Sequence, residues 1–326
     1  MAHRFYNCDG PWSNRARAAG RCRSTSAPGI CILAPPMKDP ADVDMEGKVV
    51  LVTGANSGIG RATALGLARM RATVVMLCRS AKRGEKALRR VRRQSGNEDV
   101  HLVLADLSRR QEVFDAAAEF KSRYTRLDVL VNNAGLMTRK RRLTADGFEM
   151  QLFVNHLACF LLTGLLLDRL KESAPSRVVN VASTAHSRGR LDFDDLQAES
   201  HYNGWQQYGN TKLANIVFTY ELARRLEGTG VTANCLHPGV IRTNLMSNYS
   251  RVINGLWYLL RGFFKNADEG SRTPVYLASS PDVADQSGRY FRNCEPMGTS
   301  EQSNDPAVQR RLWEVSQSLT GFQFPA

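Results

Sequence analysis

No run of about twenty apolar residues occurs along the chain, so the sequence offers no clear membrane-spanning helix. None of the seven cysteines (8, 22, 31, 78, 159, 235 and 294) stands in a C-x-x-C pair, and they form no cluster. The spacing supports no zinc finger and disfavours a disulfide framework, and no metal site is expected. Cys78, Cys159 and Cys235 each sit in an apolar run, where a free thiol behaves as a small hydrophobe. A reducing compartment is expected, in the first instance the cytoplasm. No internal repeat of fixed period is visible. Acidic residues number 31 against 44 basic ones, for a formal net charge of +13. Such a balance can attract nucleic acid, acidic lipid or phosphorylated ligands. Here the charge is spread over several segments without a recognition-helix signature, so no nucleic-acid partner is expected.

What is present is an ordinary globular balance, with 43% hydrophobic residues, enough for a sizeable core. Residues 1 to 45 stand apart: Arg15, Arg17, Arg21 and Arg23 lie among Ala, Ser, Gly and Pro with little periodicity. This stretch reads as a disordered leader or an extension ahead of a start at Met37. The alternative is a transit peptide, which would direct the chain to an organelle. Residues 46–326 read as one unit. In it, short β-branched runs alternate with helical patterns, beginning at Val49-Val50-Leu51-Val52 and continuing through strands Thr73–Cys78, His101–Ala105, Asp128–Val131, Arg177–Ala182 and Val231–Leu236. Long helices are predicted from about Thr144 to Lys171 and from about Trp205 to Glu227. Because each parallel connection needs a crossover helix, the alternation predicts an α/β fold with a doubly wound, Rossmann-type parallel sheet.

The turn Thr53-Gly54-Ala55-Asn56-Ser57-Gly58-Ile59-Gly60 follows the first strand and opens a helix. Glycines let such a turn approach a pyrophosphate, whose charge the free helix N–H groups attract. The second strand ends at Cys78-Arg79, and no acidic residue lies between Val74 and Gly84. An acidic side chain there would bind the ribose 2′-hydroxyl of NAD, whereas Arg79 suits the 2′-phosphate of NADP(H). Lys82 or Arg83 can assist. Asp106-Leu107 and Asn133-Ala134-Gly135 follow the third and fourth strands, at the sheet end where ligands bind. Alone, Asp106 could equally cap a helix near Ser108, and Asn133 could belong to a turn.

Tyr208 and Lys212 stand four residues apart, a spacing that puts them on one helix face but that chance can also supply. A cation beside the phenol is expected to lower its pKa toward neutrality, where general acid/base catalysis works best. Ser183 ends the fifth strand and can orient a substrate oxygen, or can merely cap a turn. Asn155 lies in an apolar helical run, where a buried amide needs partners. His156 beside it reads as a satisfied core or helix-surface histidine rather than a base. Arg139-Lys140-Arg141-Arg142 reads as a solvated loop that can also guide an anion.

Taken in this order, the glycine turn, Asp106, Asn132-Asn133-Ala134-Gly135, Asn155, Ser183, the Tyr208/Lys212 pair and Pro238-Gly239 resemble the classical short-chain dehydrogenase/reductase family over about residues 46 to 295. Within it, Lys212 to Phe218, His237 to Thr243, Tyr276-Leu277-Ala278 and Ser287 to Phe291 look like the retinol dehydrogenase group. An insertion between Ser183 and Tyr208, holding Asp192, Asp194, Asp195 and Trp205, is shared with that group. The basic leader does not resemble the N-terminal membrane anchor usual in its animal members. The resemblance implies that Tyr208 exchanges the proton at substrate oxygen and that Ser183 holds that oxygen. It implies that Lys212 lowers the phenol pKa and binds the nicotinamide ribose, while Asn155 supports a water-linked proton relay. Asn133 and Thr243 would touch the cofactor, and Pro238-Gly239 would shape the nicotinamide pocket. The expected substrate is a small lipophilic alcohol, aldehyde or ketone. Alternatives on the same fold are a light-dependent tetrapyrrole reductase and a non-catalytic NADP-binding regulator. Leu256 to Phe264 can cover a lipophilic substrate, rest peripherally on a membrane or pack internally. A homodimer through the two long helices is compatible with the resemblance.

Overall fold

The computed structural model describes residues 43–239 and 267–325. The first strand, β1 (Val49–Thr53), is an unbroken β-branched and apolar run with all five residues buried, as a central parallel strand requires. It leads into α1 (Gly58–Arg69), then β2 (Thr73–Cys78), α2 (Ala81–Ser95), β3 (Val100–Leu104), α3 (Arg110–Arg123) and β4 (Val129–Asn132). Strong local signals set α2: the Ser80 hydroxyl accepts from the Arg83 N–H at one end, and Gly96 closes the other at φ 72°. The second half runs β5 (Ser176–Val181), α7 (Gly204–Arg225), β6 (Val231–His237), β7 (Tyr290–Arg292) and β8 (Glu295–Met297).

All eight strands form one sheet in the order β3-β2-β1-β4-β5-β6-β7-β8. Strands β1 to β7 are parallel and β8 returns antiparallel along β7. Because β1 and β4 are neighbours, the chain switches sides of the sheet between them. The crevice beyond their carboxyl ends is where such sheets bind ligands. Both faces carry a core. One is built on Phe120, Leu130, Phe153 and Phe160, the other on Leu67, Met76, Val131 and Phe291.

The helix expected from about Thr144 to Lys171 is shorter and divided. Leu143 pairs with Glu149 across a turn that passes through Gly147 at φ 86°, so helical structure starts only at α4 (Met150–Leu152). A single π-helical turn (Phe153–Leu157) follows, then α5 (Ala158–Leu165) and α6 (Leu167–Glu172), separated at Leu166. Such a bulge widens the helix by one residue and is found frequently at functional sites. The second long helix, α7, agrees with expectation to within two residues.

The C-terminal half adds α8 (Ala267–Gly270), α9 (Arg272–Ser279), α10 (Glu301–Asn304) and α11 (Pro306–Thr320). On α11, Trp313 packs edge-on against Phe160 of α5 and stacks on Phe218 of α7. Phe324 lies 4.7 Å from Phe160, ring centre to ring centre. The common face of α5 and α7 is thus covered by the chain itself. The leader to residue 42, Thr243 and Leu256 to Phe264 lie outside the described residues. No described helix is long and apolar enough to cross a membrane.

Candidate active site

The glycine turn joins β1 to α1 at the crevice. Gly54 has φ 66°, a left-handed conformation that L side chains rarely adopt. At Gly60 a side chain would strike the Asn133 side-chain amide and the Gly54 carbonyl, and at Gly54 one would press on the Ala134 backbone, so the turn is packed closely on the segment after β4. Thr53 holds them together: its hydroxyl accepts from the N–H groups of Asn133 and Ala134, each at 2.9 Å. The Asn133 side-chain amide in turn donates to the Thr53 carbonyl at 2.8 Å. Asn133 therefore braces the turn with its backbone N–H and one amide hydrogen, a task that leaves its side-chain oxygen and second amide hydrogen to face a ligand. Ser57 precedes α1 in extended conformation, and no side chain caps the first-turn amides. Those amides, near the bare Cα positions of Gly58 and Gly60, form a cradle that a pyrophosphate fits.

At the end of β2, Arg79 is 57% exposed and lies 3.9 Å from the Asp106 carboxylate. Asp106 also accepts from the N–H and hydroxyl of Ser108, at 3.0 and 2.8 Å. Asp106 is thus a turn former and not a helix cap, since α3 begins only at Arg110 with Arg109 as its N-cap, and the turn sets the carboxylate beside the arginine. Leu107 is buried in the core beside it.

The second cluster forms where β5 and α7 meet. Ser183 follows β5 and its hydroxyl accepts from the Ala185 N–H at 3.2 Å. Two histidines fix that turn. His186 Nδ1 bonds the Ser183 carbonyl at 2.7 Å, and His237 Nδ1, at the end of β6, accepts from the Thr184 N–H at 3.4 Å. The Tyr208 phenol has the Ser183 side chain as its hydrogen-bond partner. Lys212 lies one turn further along α7, with Nζ 5.6 Å from the Tyr208 ring centre. That ammonium donates to the Val181 carbonyl at 2.9 Å.

The expectation that Lys212 lowers the Tyr208 pKa is not met. Burial raises the phenol to about 12, and the Ser183 hydrogen bond offsets only part of this. Burial also lowers Lys212 to about 8. Removing either group from water disfavours its charged form, and this burial is the largest cause of both shifts. At neutral pH Tyr208 is a protonated phenol, a donor in waiting.

Asn155 sits in the π-helical turn. Its oxygen accepts from the Leu136 N–H at 2.8 Å, and its amide donates to the Leu136 carbonyl at 2.9 Å and the Thr211 hydroxyl at 3.0 Å. The buried amide is satisfied, and it ties the loop after β4 to α7 between Tyr208 and Lys212. Beside it, a Cβ on exposed Gly135 would lie 3.4 Å from Asn155 Oδ1 and 3.5 Å from Lys212 Nζ. Both polar atoms therefore lie beside the bare Cα of Gly135. His156, as expected of a core histidine, is fully buried between Asn215 and Ser316. Gly239, beyond β6, has φ 93°.

The fold thus brings Ser183, Tyr208, Lys212, Asn155 and Gly135 to the same sheet end as the glycine cradle. Thr53, Thr211, His186 and His237 are supports of the site that motif spacing does not single out. Only Thr53 carried a signal, a strand-end hydroxyl abutting the glycine turn. The short chain dehydrogenase family model matches residues 48–253. The chain belongs to the short-chain dehydrogenase family. It is accordingly an oxidoreductase acting on CH–OH groups with a nicotinamide cofactor. Among its relatives, human retinol dehydrogenase 14 is 46% identical over 293 residues, covering 85% of this chain and 87% of that protein. Human retinol dehydrogenase 11 is 42% identical over 304 residues, 93% of each chain. A solved but uncharacterized structure from Mycobacterium paratuberculosis is 36% identical, with a TM-score of 0.72, covering 88% of this chain and 98% of that one. Membership of the short-chain dehydrogenase family fits the positions of the paired tyrosine and lysine and of the glycine turn.

Proposed function

We propose that this family member uses NADP(H) to interconvert a lipophilic alcohol with its aldehyde or ketone, in the manner of a retinol dehydrogenase. The observation that carries the reading is the convergence of Ser183, Tyr208 and Lys212 on the sheet end that holds the glycine cradle. The names of the relatives support the substrate class. Arg79, with no acidic residue from Val74 to Gly84, supports the 2′-phosphate form of the cofactor. Residues 46–326 would hold cofactor and substrate in one unit. The free thiols of Cys78, Cys159, Cys235 and Cys294 suit a reducing compartment.

Gly54, Asn56, Ser57, Gly58, Ile59 and Gly60 would hold the pyrophosphate, with Arg79, Asp106 and Leu107 at the adenosine end. Asn133, Ala134, Gly135, Lys212, Pro238 and Gly239 would flank the nicotinamide half, joined by Thr243. When bound, the nicotinamide supplies or accepts the hydride. Ser183 orients the substrate oxygen toward Tyr208. Tyr208, a protonated phenol at neutral pH, donates to the developing alkoxide, and the reverse direction returns that proton. Lys212, fixed by the Val181 carbonyl, holds ribose hydroxyls and a positive charge near the phenol. Asn155 and Lys212 border a space in which water can resupply the proton. No observation favours a light-dependent tetrapyrrole reductase. A non-catalytic regulator has no need of the Tyr208/Lys212 pair.

The test follows NADPH and NADH loss across a panel of aldehydes and ketones, for wild type and Tyr208→Phe. Activity confined to wild type, stronger with NADPH and with longer apolar substrates, is expected. Equal activity in both proteins would remove Tyr208 from the mechanism, and a preference for NADH would overturn the role given to Arg79.

A further inference from the structure

Glu149 is fully buried, and no cation is recorded against it among the described residues. Its two oxygens instead collect four neutral donors. The N–H groups of Gln151 and Leu152 donate at 3.0 and 2.7 Å, so the carboxylate caps the helical segment that carries Asn155 six residues on. The Gln207 side-chain amide donates at 3.0 Å, and Gln207 immediately precedes Tyr208 on α7. The Tyr202 hydroxyl is the fourth, at 3.2 Å. Two of these donors are backbone N–H groups that cannot reverse polarity, and flipping the third, the Gln207 amide, would set its oxygen against the Leu196 carbonyl. Only a group that accepts at both oxygens satisfies them.

The same node reaches the rest of the site. The Glu149 backbone N–H donates to Gln197 Oε1 at 3.0 Å, and the Gln207 amide donates a second time, to the Leu196 carbonyl at 3.0 Å. The hydroxyls of Tyr202 and Thr138 share a hydrogen bond of 2.6 Å, and the Gln151 amide donates to Tyr202 at 2.7 Å. Thr138 belongs to the loop after β4 that Asn155 holds through Leu136. At Gly204 a side chain would strike the Thr138 carbonyl, so the start of α7 is pressed against that loop. One carboxylate thus joins both catalytic helices at their first turns, the post-β4 loop and the insertion before α7.

We propose that Glu149 is a positioning residue for this reaction. It sets the spacing between the helix bearing Asn155 and the helix bearing Tyr208 and Lys212, and it pins residues 196 to 203 as one wall of the site. This rests on the reading of Tyr208 as the proton donor. A carbonyl oxygen must lie within hydrogen-bond reach of Ser183 and Tyr208 together, and small misplacements of such groups are felt mainly in the chemical step.

The test uses the full chain carrying Glu149→Gln, Gln207→Met, or Tyr208→Phe. Glu149→Gln keeps the shape but turns one acceptor into a donor facing the Gln207 amide or a backbone N–H. Gln207→Met cuts the link to α7 while leaving the helix cap intact, and it decides the matter if Glu149→Gln does not fold. With either folded variant, kcat is expected to fall by ~10-fold. NADPH affinity should change less than about threefold, and the solvent deuterium isotope effect on kcat should rise as proton transfer becomes limiting. A purely structural role would instead lower the melting temperature and leave the isotope effect alone in the folded fraction. Wild-type kcat in both variants, or losses confined to stability or cofactor affinity, would overturn the proposal. If Tyr208→Phe is itself fully active, the functional reading beneath it fails, and that outcome is distinct.

Discussion

Gly135→Ala is a sharp probe of the proton path, because the structure separates its effect on folding from its effect on chemistry. Gly135 does not have positive φ, and an added methyl would meet its nearest neighbours at 3.4 and 3.5 Å, ordinary contact distances. The substitution should therefore leave the fold as stable as wild type or stabilise it by about 0.4–1 kcal/mol, by restricting the unfolded chain. Those two neighbours are Asn155 Oδ1 and Lys212 Nζ. A methyl beside both atoms takes the volume from which a water would bond to either. General acid/base catalysis contributes roughly 10²–10⁴-fold, and losing resupply to an intact Tyr208 forfeits part of it. A fall in kcat of ~10- to 100-fold is expected, about 1.4–2.8 kcal/mol in activation free energy. Stopped-flow measurement of NADPH oxidation, with cofactor affinity from fluorescence titration and stability from urea unfolding, separates the three quantities. An unchanged kcat would refute the reasoning. So would a loss that lies wholly in cofactor affinity, which would mean that the methyl obstructs the nicotinamide half and not a proton path.

Three further outcomes are expected. Arg79→Asp removes a charge-assisted partner of a 2′-phosphate and should weaken NADPH binding by ~10- to 100-fold with little loss for NADH, read from the ratio of kcat/KM values. His156 is lowered by burial from 6.5 to about 4, so the unfolded chain binds its proton first as pH falls. The stabilisation this gives is complete above about pH 6.5 and should decline by about 3 kcal/mol toward pH 4, a slope that chemical denaturation would find flattened in His156→Asn. Because α11 and Phe324 cover the α5–α7 face, hydrogen exchange in those helices should not depend on protein concentration. Protection that grows with concentration there would show a second subunit on that face.

What the sequence made legible, it carried in local patterns. The apolar runs of β1 and β2, the glycine turn between β1 and α1, and the four-residue spacing of Tyr208 and Lys212 need no distant partner to be recognised. The length of the helix before β5 was misread because apolar spacing continues through it, while Gly147 and the Glu149 cap delay its start. The direction of the Tyr208 shift was misread for a related reason: the nearby lysine is visible in sequence, but the burial that outweighs it is a property of the assembled core. Glu149 left no signal at all. A single glutamate two residues after a glycine looks like any loop residue until Tyr202 and Gln207, more than fifty positions away, close around it. The α11 cover was equally hidden, since His156 and Ser316 are separated by 160 residues.

Strand β8 has a consequence for how the molecule behaves in a crowded solution. It ends the sheet, and an open sheet edge is a template on which another chain can add a strand. Here that edge is three exposed residues, Glu295, Pro296 and Met297. Pro296 has no N–H to offer an incoming strand, and Glu295 would bring an unwelcome charge to any apolar partner. The reversal of direction after β7 therefore does more than finish the sheet: at this end of the array it supplies a short, blunt margin that is a poor template for an added strand.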